Sequence, residues 1–202
     1  MIAHALTIVI NEMEIYLPAA TVGIGNIALG VGGTDGVPKD ILNISVVNIK
    51  EEKALKNLPH VVRDDVKLTA NYQNPPVFLN FLILITATHA TYADALLMLS
   101  RAIRFFQNYN VFTQDTVAPL SLTKKAPNNT SDQLQTFKLI FDLYSPTMEE
   151  VNHLWGTLGG KQYPFVLYNL RTLDLQFKAV PAEGGLITEV VTDVYHKDAV
   201  AL

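Results

Sequence analysis

The chain has 202 residues, of which 49% are hydrophobic and 17% charged, with a formal net charge of −4 and no cysteine. That length builds one main domain with a sizeable core, and the composition excludes a disordered chain. The acidic balance excludes a global basic field for nucleic acid. The missing thiols exclude a disulfide framework or a thiolate metal site, and suit a reducing cytoplasm.

A mean hydropathy of +0.21 is high for a monomer of this size with no membrane span, so the apolar excess points to an oligomer or larger assembly. The longest apolar run, residues 77–90, contains Asn80, Thr86, Thr88 and His89 and is too short to cross a bilayer. The start of the chain lacks a basic leader and runs into Glu12 and Glu14, which argues against a secretory signal.

Residues 2 to about 17 place Ile2, Leu6, Val9, Ile10, Met13 and Leu17 at helical spacing, with Asn11, Glu12 and Glu14 mostly off the stripe and Pro18 as the stop. Residues 22–30 read as a glycine-punctuated strand. The turn-rich 30–36 then predicts a hairpin whose far strand is 41–52, partly covered on both faces. Residues 53–74 are polar and irregular apart from a short strand candidate at 67–72. The run 77–88, opened by Pro75 and Pro76 and apolar on both faces, predicts a central strand.

Thr91 and Asp94 resemble a helix cap and its first-turn acid. The helix 92–107 carries Ala95, Leu96, Leu99, Ala102, Ile103 and Phe106 on one face, widened by Leu97, Met98 and Phe105. Neighbours on a helix point about 100° apart, so Phe105 and Phe106 do not both face one sheet; one meets either a neighbouring subunit or the loop that follows. Residues 113–131 read as a long polar loop, of the kind that carries function. The strand 133–144 sets Phe137, Leu139, Phe141 and Leu143 opposite Leu134, Thr136, Lys138, Ile140 and Asp142. Thr147 and Glu150 stand at capping-box spacing before a short helix with Val151, Leu154, Trp155 and Leu158, stopped by Gly159 and Gly160. Strands at 163–177 and 186–195, separated by a turn at 181–185, complete an α+β fold: a mixed, largely antiparallel sheet flanked by about three helices.

No motif carries chemistry. The histidines His4, His60, His89, His153 and His196 lack metal-ligand spacing, and no nucleophile elbow or phosphate-binding glycine loop is present. The glycines at 23, 25 and 30 suit a flexible hairpin, and the pairs Glu51–Glu52 and Glu149–Glu150 suit a solvated strand end and a helix N-terminus. The expectation is therefore a non-enzymatic chain with no catalytic, cofactor-binding or metal site. The candidate interface residues are Phe105, Phe106, Phe112, Trp155, Lys124 and Lys125, with Trp155 weighed as either core or docking anchor.

Four blocks of sequence resemble one family. They are V-N-I-K-E-E-K-A-L-K-N (47–57), N-P-P-V-F-L-N-F-L-I-L (74–84), Y-A-D-A-L-L-M-L-S-R-A-I-R-F-F-Q-N-Y-N-V-F (92–112) and V-N-H-L-W-G-T-L-G-G-K-Q-Y-P-F-V-L-Y-N-L-R (151–171). As a set they look like the N-terminal domain of tail-cap, or tail-terminator, proteins of contractile injection systems of the Photorhabdus virulence cassette and antifeeding-prophage kind. The resemblance implies a structural subunit in a six-fold ring that closes the inner tube and sheath. Its partners are then sister copies, the inner tube protein and the sheath protein, with no nucleic acid and no direct membrane insertion. Assembly in the cytoplasm is expected, on a particle either released or membrane-anchored.

The expected division is a cap domain over 1–177 and a C-terminal extension over 178–202, whose strand adds to a neighbour's sheet edge. The loops 30–40 and 113–131 are expected to dock on tube and sheath, so that deleting 115–129 leaves the fold intact. A tube initiator or baseplate adaptor is the alternative within the same particle, and an enzyme with a site in the 53–74 or 113–131 loops is the rival outside it.

Overall fold

The apolar spacing near the N-terminus forms α1 (Ile2–Tyr16), which buries Leu6, Ile8, Val9, Ile10 and Met13 and ends at Leu17, just before Pro18. The computed structural model describes residues 1–18, 20–32, 34–55, 61–64, 69–72, 77–175, 182–185 and 190–192. After α1 come β1 (Val22–Ile24), β2 (Leu42–Glu51), β3 (Val61–Asp64), β4 (Thr69–Tyr72), β5 (Val77–Ala87) and α2 (Tyr92–Asn108). They are followed by β6 (Val111–Thr113), α3 (Pro119–Thr123), β7 (Lys138–Tyr144), α4 (Met148–Thr157), β8 (Phe165–Leu175) and β9 (Ala182–Gly185). These elements belong to two units, residues 1–56 with 77–175, and residues 57–76 with 176–202.

The first unit holds a six-stranded sheet in the order β1-β2-β5-β8-β7-β6. Every pairing is antiparallel except β1 with β2, which is parallel. The hairpin expected at 22–52 is therefore a crossover. The physical reason lies in the glycine-rich run: Gly32 N–H donates to the Val37 carbonyl and Val37 N–H to that of Gly30, so the run closes a small loop on itself. Gly30 and Gly32 adopt φ of 80° and 83°, a region costly for residues with a Cβ. The chain then returns to start β2 alongside β1.

β5 sits between β2 and β8, as its two-sided apolar pattern requires. Phe81, Ile83 and Ile85 face a core built with α1 and α2, while Leu82 and Leu84 face a smaller cluster with Ile27, Ile41, Val47, Trp155 and Leu167. Each fully buried Leu, Ile or Phe contributes about 1.5–3 kcal/mol relative to exposure. Both halves of the expected capping box form: Glu150 N–H donates to Thr147 Oγ1, and Thr147 N–H to the Glu150 carboxylate. At α2, Thr91 is the cap residue but makes no side-chain cap bond.

The second unit contains a three-stranded antiparallel sheet in the order β3-β4-β9. β4 matches the strand expected at 67–72, whereas β3 carries no clear alternation and was not expected. Residues 181–185, expected as a turn, contribute β9, which pairs Ala182 with Tyr72 and Gly185 with Thr69. An internal segment and a C-terminal segment thus share this sheet. Of the strand expected at 186–195, residues 190–192 are described and are not strand. The remainder of that strand, together with Pro75 and Pro76, lies outside the described residues.

Candidate assembly interface

The aromatic residues singled out for contact with partners are packed inside the first unit. Phe105 and Phe106 are each 2% exposed and Phe112 is 3% exposed. The 100° offset between helical neighbours is resolved within the chain. Phe106 turns onto the sheet, with ring centroids 4.8 Å from Phe141 and 4.6 Å from Tyr168. Phe105 turns sideways to Tyr16 of α1 at 5.4 Å and to Tyr109 and Phe112 of the following segment at 5.7 and 6.0 Å. Of the two expected neighbours for the second phenylalanine, the following segment is the one found. Burial lifts the Tyr168 hydroxyl to a pKa of about 12.

Trp155 is also core, at 5% exposure, with its ring 5.4 Å from Phe165 and 6.2 Å from Tyr163. Among the described residues its indole N–H has no hydrogen-bond partner. These four aromatic side chains therefore give their area to the protomer, which corrects their reading as contact residues.

Residues 113–131 are not the structureless loop expected. They hold α3 and a 3-10 turn, and α1 clamps them through side chains that sequence spacing had set off its apolar stripe. Asn11, 2% exposed, donates through Nδ2 to the carbonyls of Ser121 and Lys124 at 3.0 Å each. Glu12 accepts from Ala118 N–H at 2.8 Å. His4 accepts from Leu134 N–H at Nδ1, which leaves Nε2–H to donate to the Leu122 carbonyl. Lys124 pairs with Glu14 at 2.7 Å, while Lys125 is exposed and held at φ of 57°. Deleting 115–129 would strip the buried Asn11 of both carbonyls and His4 of the Leu122 carbonyl, so the fold is not expected to survive that deletion intact.

The available surface lies elsewhere. On α2, Tyr92, Leu96, Leu97 and Ile103 are exposed. Tyr92, Leu96 and Leu99 join Gln162, Tyr163, Pro164 and Phe165 around an open groove of about 470 Å³. Its lining is apolar and aromatic apart from the Gln162 amide and the hydroxyls of Tyr92 and Tyr163. Among the described residues, no group of three or more His, Asp or Glu is placed to hold a metal ion, and no helix is long and apolar enough to cross a membrane.

Among the described residues, the sheet face beneath α4 is covered only at one end. Beyond Tyr144 and Val47, register aligns Asn48 with Leu82, Asn169 and Asp142, then Lys50 with Asn80. Asp142 meets Arg171 at 3.2 Å, and Asn80 donates to Glu52 at 2.7 Å. That bond, with one from Ala54 N–H, holds the Glu52 carboxyl below its ordinary range. At the edge of α4, bonds from Thr147 N–H and the Tyr144 hydroxyl lower Glu150, while Glu150 raises Tyr144.

A mixed sheet with α1 and α2 across one face and α4 at one end of the other is the architecture to set beside known proteins. Residues 4–189 match the Pvc16 N-terminal domain family. The chain belongs to that family. Among solved structures it resembles the PVC sheath/tube terminator of an extracellular contractile injection system in its extended state, with a TM-score of 0.59 and 15% identity over 96% of this chain. It also resembles the anti-feeding prophage cap, the AFP tube terminating cap, with a TM-score of 0.57 and 13% identity over 91% of this chain. It spans 64% and 58% of those two chains, and likeness at such identity speaks for the fold alone. A search among curated proteins found no match.

Proposed function

We propose that this chain is the terminator subunit of a phage-tail-like contractile injection system. A ring of copies, six by the family resemblance, closes the end of the inner tube and sheath and stops elongation. The observation that carries the reading is the family match over residues 4–189, joined to a shared fold with two tube-terminating proteins. A tube that grows by stacking rings presents a reactive surface at every step; a terminator matches that surface on one side and offers nothing stackable on the other. The role is structural and non-enzymatic, as for a subunit whose task is to match and close a growing tube. Its partners are sister copies, the inner tube protein and the sheath protein. Assembly takes place in the cytoplasm before the particle is released or anchored.

The test is to assemble tails with and without this chain and measure their lengths by electron microscopy. Uniform lengths with the chain, and overlong or ragged tubes without it, are expected. Uniform tails in its absence, or tubes nucleated by the chain alone, contradict the reading; the second result would instead fit a tube initiator.

A further inference from the structure

The six-stranded sheet leaves part of each outer strand uncovered. β1 pairs with β2 only from Leu42 to Ile44, and the last backbone bond on that side runs from Gly25 N–H to the Ile44 carbonyl. Among the described residues, no strand covers β2 beyond that point. At the other edge, β6 pairs with β7 only from Lys138 to Ile140, and Phe141 N–H to the Asn110 carbonyl is the last bond. Among the described residues, 48–50 on one edge and 142–144 on the other are left as short open strand ends.

Their backbone phases match. Glu52 N–H bonds inward to the Phe78 carbonyl, so by alternation the Ile49 N–H and carbonyl point outward. Phe141 N–H points outward, so those of Leu143 do too. Both residues are exposed, Ile49 at 51% and Leu143 at 58%, on the face that carries α1 and α2. On the opposite face stand Lys50 and Asn48 at one edge, Asp142 and Tyr144 at the other. Three antiparallel steps, β2 to β5 to β8 to β7, make β7 antiparallel to β2.

We infer that the open end of β7 in one copy pairs antiparallel with the open end of β2 in the next, joining the sheets of neighbouring copies edge to edge. Leu143 and Ile49 form the hydrogen-bonded pair and exchange two N–H···O=C bonds. Asp142 then lies opposite Lys50, and Tyr144 opposite Asn48, as the flanking pairs. Apolar meets apolar on the helix face and carboxylate meets amine on the other, with the helices of both copies on the same side. Charge complementarity and strand direction both specify a second copy of this chain as the occupant. The contact is head-to-tail, the kind that closes into a ring when its rotation closes. β6 of one copy and β1 of the next flank the joint and act as stops that fix the register. The inference rests on the reading of the chain as a ring subunit and supplies its joint.

The chain has no cysteine, so paired cysteines report the contact without background. Flanking pairs in an antiparallel ladder have Cα atoms about 4.5 Å apart, within disulfide reach. The Asp142–Arg171 pair is half exposed, so replacing Asp142 leaves the fold in place. Oxidised full-length Lys50→Cys/Asp142→Cys should run as a ladder of covalent multimers, as should Asn48→Cys/Tyr144→Cys, a second pair in case the first fails to fold. Lys50→Cys/Lys125→Cys and each single variant should stay uncrosslinked. Oligomers seen by mass but not crosslinked by either pair, or a dimer from Asp142→Cys alone, overturn the edge contact and leave the ring reading standing. A monomer under all conditions overturns both. Crosslinked rings that fail to cap tubes keep the contact and overturn the terminator role.

Discussion

The two faces of the six-stranded sheet are finished in different ways. One is sealed by α1 and α2 around a nest of Tyr16, Phe105, Phe106, Phe112, Phe141 and Tyr168. The other, among the described residues, is sealed by α4 and the crossover at one end and continues as Asn48, Lys50, Asn80, Asn169, Asp142 and Arg171. The phenylalanines and the tryptophan singled out in the sequence serve the protomer, while the exposed surface consists of polar rows, strand ends and the outer side of α2 with Tyr92, Leu96, Leu97 and Ile103. Apolar excess in composition therefore does not identify which residues a partner touches.

The comparison breaks first at Phe106, which touches both α2 and the sheet. Phe106→Ala should cost about 3–5 kcal/mol in chemical denaturation, because it leaves a cavity between helix and sheet. A cost below about 1 kcal/mol would mean the sealed face is not packed as described. Next comes the α1–α3 clamp. Asn11→Ala orphans the carbonyls of Ser121 and Lys124 and should cost about 1–3 kcal/mol, with hydrogen exchange quickening across 118–124. Unchanged exchange there would show that α3 is held by other contacts.

The α4 side should respond more mildly. Thr147→Ala removes one half of the capping box, for about 1 kcal/mol. Glu150 is also lowered in pKa, so the unfolded chain binds its proton more readily than the folded one. Its contribution is present above the ordinary carboxylate range and lost as pH falls through the folded value. The stability gap between the natural chain and Glu150→Gln should close in acid; a gap independent of pH would contradict the cap. Smallest of all, Leu96→Ser on the exposed flank of α2 should shift stability by no more than about 0.5 kcal/mol. A larger loss would place Leu96 in the core.

Much of the fold was legible from periodicity and caps. α1, the central β5, α2 and the capped α4 follow from local patterns that tertiary packing reinforces. The crossover between β1 and β2 was not legible, because a glycine-rich turn reads alike whether it reverses the chain or closes on itself. Order in 113–131 was hidden for a different reason. It depends on Asn11, Glu12 and His4, over a hundred residues away, and nothing in the local sequence announces such partners. Among the candidate interface residues, Lys125 remains at the surface and Lys124 there is paired with Glu14. The open strand ends at 48–50 and 142–144 became visible only once strand order and register were known.

The central claim is that this chain closes on its own copies and then stops. Mass photometry of the purified protein, followed across a range of concentrations, tests it most directly. The account predicts one closed oligomer whose mass stops rising with concentration; a lone monomer throughout, or filaments that keep lengthening, would contradict it.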